Sequence, residues 1–77
     1  MTPALVLDCR GQACPLPVIE LAKHLADVEV GELIGVDSDD VAAGLDIPAW
    51  CRMREQEFVG QDSAADGVPR YVVRRVS

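Results

Sequence analysis

Two short apolar runs, ALVLD at residues 4–8 and ELIGVD at 32–37, enclose a stretch with a different period. Between them Val18, Leu21, Ala22, Leu25 and Val28 recur at helical spacing, with Glu20, Lys23, His24 and Asp27 interleaved. Strand, helix and strand within roughly thirty residues leave one economical arrangement, a parallel pair joined by a right-handed crossover. The spacing predicts a helix that opens at Pro15, where the missing N–H is harmless, runs through Val28 and stops at Gly31.

Beyond the crossover the signals weaken. DSDD at 37–40 offers several caps for a second helix, but Gly44 and Pro48 interrupt it. The expectation is an irregular turn through 40–46 and a helix over about 47–54, with Ile47, Trp50 and Cys51 facing inward. EQEFVGQ and RYVVRRV read as strands joined by the polar loop DSAADGVP, whose Asp66–Gly67 pair signals a turn. Their register stays open, because Tyr71–Val73 and Val72–Val76 lie on opposite faces. The predicted order is β-α-β-α-β-β, an α/β (α+β) two-layer sandwich: a four-stranded mixed sheet with two helices on one face. The other face is left to solvent or a partner.

With 77 residues the chain has room for one domain, residues 1–77, and one modest core. Its net charge of −6 argues against direct nucleic-acid binding, which needs a basic footprint. No apolar run approaches the ~20 residues of a membrane span. MTPALVLD lacks the basic region and long apolar segment of a secretory signal, so a cytoplasmic protein is expected. An odd set of three cysteines, Cys9, Cys14 and Cys51, in a reducing compartment leaves a free thiol.

Cys14 stands directly before Pro15-Leu16-Pro17 and three residues after Gly11. Such a position lies at or beside the first helix's N-terminus, where unpaired amides and the helix dipole stabilise an anion. Pro15 and Pro17 carry no N–H, so the amides of Leu16 and Val18 are among the few donors left there. Arg10 adds a cation to the same loop. The expectation is an exposed thiol with a lowered pKa. The plain alternative is a small buried hydrophobe, as most free cysteines are, but those rarely need a glycine turn and two prolines.

The chain offers this thiol little help. His24, its one imidazole, lies nearly three helical turns away, about 15 Å by helical rise. There is no C-x-x-C pair, and the cysteines and His24 lack paired zinc-ligand spacing. No metal or cofactor is called for. Persulfide exchange fits these constraints, since it needs a nucleophilic exposed sulfur and no local acid–base apparatus.

The frame Leu7-Asp8-x-x-Gly11-x-x-Cys14-Pro15-x-Pro17-Val18 resembles the signature of the TusA/SirA family of small sulfur-carrier proteins. The likeness continues through Gly31, DSDD, and Asp46-Ile47-Pro48 with Trp50 and Cys51. It implies the two-layer fold of the C-terminal domain of bacterial translation initiation factor 3. It also implies a cytoplasmic persulfide carrier, a sulfurtransferase that acts with partner enzymes rather than alone. The expected partners are a sulfur-donor protein (a cysteine desulfurase, rhodanese or similar) and an acceptor sulfurtransferase. The acceptor pathways implied are tRNA thiolation, molybdenum-cofactor maturation or sulfur oxidation. Cys14 would take the sulfur, with Asp8, Arg10 and Gly11 shaping its loop and Pro15 and Pro17 fixing the helix start. Cys9 departs from the pattern, and a Cys9–Cys14 disulfide is one alternative; Cys51 reads as core. Two further readings are a non-catalytic interaction module and a thiol redox sensor. Nothing demands more than a monomer.

Overall fold

The computed structural model describes residues 2–77. The first strand, β1 (Leu5–Asp8), leads through a loop into α1 (Leu16–His24), which tightens into a 3₁₀ turn at Leu25–Asp27. Then come β2 (Leu33–Asp37), α2 (Ala43–Arg54), β3 (Glu57–Ser63) and β4 (Pro69–Arg74). The four strands form one mixed sheet in the order β1-β2-β4-β3. β1 pairs parallel to β2, as the crossover requires, and both other pairings are antiparallel.

Strand alternation places Leu7, Ile34, Val36, Tyr71 and Val73 on one face of the sheet. There they meet Leu21 from α1 and Ala43, Ile47, Trp50 and Cys51 from α2 in a single core. Both helices therefore cover the same face. Burying a side chain such as Leu21, fully enclosed here, stabilises the fold by roughly 1.5–3 kcal/mol.

The second face is covered by charge rather than by helices. Asp37 on β2 accepts from Arg70 Nε at 2.7 Å and Nη2 at 3.0 Å. The Arg70 stem lies over Gly35, where an added Cβ would come within 3.0 Å of Arg70 Cδ. Val72, on this face, pairs in register with Gly35 and Gly60 and is fully buried. The register left open by the sequence is thus settled: Tyr71 and Val73 point to the core, and Val72 away from it.

Several boundaries differ from expectation. α1 is shorter, because the chain turns extended at Val28, and Ala22 is exposed rather than inward. The second helix is longer than expected, starting at Ala43. Pro48 sits inside it, and the residue four positions earlier, whose carbonyl a proline ring crowds, is Gly44. Gly44 also lies close to Tyr71, whose hydroxyl would be 3.3 Å from an added Cβ. The expected 62–69 loop shrinks to residues 64–68, closed by Ala64 N–H to Val68 O and Gly67 N–H to Ala64 O.

Candidate functional site

Cys14 is the exposed member of the three cysteines, all of them free. Cys9 and Cys51 are each 1% exposed and belong to the core. Burial pushes both thiols up, Cys51 to about 11, so neither is a ready nucleophile. The redox-sensor reading thereby loses its accessible second cysteine.

The loop carrying Cys14 is pinned from both sides. On one side Asp8 Oδ1 accepts from Arg10 N–H at 3.2 Å and from Arg10 Nη1 at 2.9 Å. Arg10 also reaches Asp66 in the β3–β4 loop and lies 3.6 Å from Asp37. On the other side the acidic segment before α2 receives the loop's amides. Asp39 accepts from Gly11 N–H, and Asp40 Oδ2 accepts from Cys14 N–H at 2.7 Å. Gly11 has φ of 76°, a left-handed turn that favours glycine.

The geometry corrects the expected electrostatics of the sulfur. Pro15 occupies the N-cap position of α1, Pro17 is buried at its start, and the Cys14–Pro15 peptide bond is cis. The Leu16 amide is spent on Ala13 O at 3.0 Å. Arg10 is committed to carboxylates and is not among the groups acting on the thiol. Instead the Cys14 Sγ–H donates to Asp46 Oδ2, from the first half of α2. That hydrogen bond, partial desolvation and the charges of Asp46 and Asp40 push the thiol pKa up, not down. These surroundings favour the thiol over the thiolate.

Beside the thiol runs an open groove of about 330 Å³ between the two helices. Pro15 at the N-cap of α1 and Val18 within it line one side, and Ala49, Trp50 and Met53 of α2 the other, with Cys14 and Asp46 as the polar members. Met53 is 72% exposed. His24 is tied to Glu20 and Asp27 on the α1 surface and takes no part in the groove. Among the described residues no three His, Cys, Asp or Glu side chains are placed to hold a metal ion. No helix there is long and apolar enough to cross a membrane.

Sequence reasoning thus located Cys14, its exposure and its loop. It missed the roles of Asp39, Asp40 and Asp46. The DSDD run was read as helix caps, which Asp40 partly is, through Ala42 N–H to Oδ1 at 3.0 Å. Its other oxygen holds the cysteine loop. The available signal was the density of carboxylates in a chain with so few basic partners.

A mixed four-stranded sheet backed by two helices is also the architecture of a SirA-like protein from Desulfitobacterium hafniense, known from its crystal structure. The two superpose with a TM-score of 0.78, over 95% of this chain and 99% of that one, at 23% sequence identity. That likeness defines the fold class, an α+β two-layer sandwich. An inferred sulfur carrier protein of Archaeoglobus fulgidus is 43% identical over 70 residues, covering 91% of each chain. The inferred carrier YrkF of Bacillus subtilis is 28% identical over 75 residues, 97% of this chain and 40% of that protein. The sequence model of the family named Sulfurtransferase TusA matches residues 5–75, and the chain belongs to that family.

Proposed function

We propose that this protein carries sulfane sulfur as a persulfide on Cys14, in the cytoplasm, between a donor protein and an acceptor sulfurtransferase. The donor would be a cysteine desulfurase, a rhodanese or a similar enzyme. The acceptor would serve tRNA thiolation, molybdenum-cofactor maturation or sulfur oxidation. One observation carries the reading: of three thiols only Cys14 is open to solvent, and it stands on a loop fixed by Asp39 and Asp40. Exchange between two thiols across a persulfide conserves the sulfur's oxidation level and needs no cofactor. The groove beside Cys14 offers an apolar seat for the partner segment that brings the second sulfur in. Asp8, Arg10 and Gly11 hold the loop, and Pro15 and Pro17 set the start of α1. Incubation with a cysteine desulfurase and cysteine should add the mass of one sulfur atom to Cys14. Loading that persists in Cys14→Ser would overturn the assignment.

A further inference from the structure

We propose that Asp46 is the proton-transfer partner of Cys14: it takes the thiol proton as sulfur is captured and returns it to the departing donor thiolate. The proposal rests on reading Cys14 as the sulfur acceptor and deepens it. Three observations carry it. The Cys14 thiol donates to Asp46 Oδ2, so the acceptor of its proton is already in place. Asp46 lines the same groove as Cys14, where an incoming persulfide must lie to reach Sγ. No salt bridge engages Asp46 among the described residues, so its carboxylate is not committed to holding the fold.

The neighbouring titratable groups are engaged elsewhere. α1 presents only Leu16, Pro17, Val18 and Ile19 in its first turn, none of them titratable. Its Glu20 is occupied with Lys23 and His24. On the segment before α2, Asp40 binds the Cys14 amide and Asp39 the Gly11 amide. Arg10, from the cysteine's own loop, is held by Asp8 and Asp66. The charges facing the sulfur are thus carboxylates, and partial desolvation adds to their effect in favouring the thiol form.

The step balances without an oxidant or reductant. Cys14–SH gives its proton to the Asp46 carboxylate, and the thiolate attacks the outer sulfur of a donor R–S–SH. A Cys14 S–S bond forms while the donor's own S–S bond to that outer sulfur breaks. The electron pair leaves on R–S⁻, which takes the proton from Asp46 and departs as R–SH. Cys14–S–SH remains, and the Asp46 carboxylate is restored.

This role predicts that two reactivities of one sulfur move in opposite directions in Asp46→Asn. Alkylation by iodoacetamide, whose leaving halide needs no proton, should speed up by roughly tenfold at pH 7. That gain follows from losing the hydrogen bond and adjacent negative charge that hold the thiol pKa up, which moves the midpoint down. Sulfur uptake from glutathione persulfide, followed by intact mass, should slow by roughly tenfold or more as acid–base assistance is lost. Asp46→Glu should recover part of the uptake. A merely structural Asp46 would change both rates in the same direction. Uptake in Asp46→Asn that keeps pace with its alkylation overturns the proposal. Should the asparagine variant not fold, Asp46→Ser makes the same comparison. Failure of the unaltered protein to load at all is a separate result, and it removes the carrier reading instead.

Discussion

Arg10 and Asp66, 56 positions apart, meet through two parallel hydrogen bonds, Nε to Oδ2 at 3.0 Å and Nη2 to Oδ1 at 2.9 Å. The pair joins the loop leading to Cys14 to the hairpin between β3 and β4. The Arg10 contacts hold the carboxyls of Asp8 and Asp66 below their usual range.

Exposed ion pairs contribute modestly and are screened by salt. Arg10→Ala is therefore expected to lower Tm by a few degrees in dilute buffer and by less in concentrated salt. Asp66→Ala in the same background should add little, because its partner is already gone. The pH midpoint of Cys14 alkylation should not move, since Arg10 does not act on that sulfur. Thermal melts at two salt concentrations, with an alkylation profile, check all three statements.

Burial sorts the three thiols by reactivity. Under native conditions iodoacetamide should label Cys14 alone, and in concentrated urea it should label all three. Mass spectrometry of the intact chain and its peptides reads this directly. Labelling of Cys9 or Cys51 before unfolding would contradict their place in the core.

The first half of the fold was legible because its signals are local. An apolar run, a helical period and a glycine stop lie within one crossover, and parallel pairing follows from connection length. Cys14 was legible for the same reason, through Gly11, Pro15 and Pro17 beside it. The second helix was misjudged because Pro48 penalises a helix locally. The cost is met by tertiary packing of Ala43, Ile47, Trp50 and Cys51, which no local rule contains. The β4 register depended on its neighbours: Val72 can be buried on the outer face because Gly35 and Gly60 flank it and Arg70 lies over Gly35. The electrostatics of Cys14 failed as an inference because dipole and cation were judged from nearby residues, whereas Asp46 arrives from 32 positions away. Local sequence located the exposed cysteine, and long-range packing set its electrostatic surroundings.

Leu21 is fully buried at the centre of the α1 contact with the sheet. Leu21→Ala removes that contact and leaves a cavity, a change that costs about 2–5 kcal/mol in comparable cores. A domain this small is stable by no more than roughly 5–15 kcal/mol. Urea titration should show a sharply lowered midpoint. Ile19→Ala, on the exposed side of the same helix, should leave the midpoint nearly unchanged.

Cys51 gives the fold an alkaline limit. Its pKa rises from 9.0 in the unfolded chain to about 11 in the folded one, because burial penalises the thiolate. The folded state therefore holds the proton more tightly. Its stability contribution is complete below about pH 9 and is lost as pH climbs through about 11, where both states have ionised. The separation corresponds to a loss on the order of 2–3 kcal/mol across that window. Cys9, raised by burial as well, acts in the same sense. Cys51→Ala removes the titrating group and leaves a small void. It should be less stable than the unaltered protein at pH 7, and the gap should narrow or reverse by pH 11. Urea midpoints at pH 7, 9 and 10.5 for both proteins test the sign: parallel curves would show that Cys51 does not ionise on unfolding.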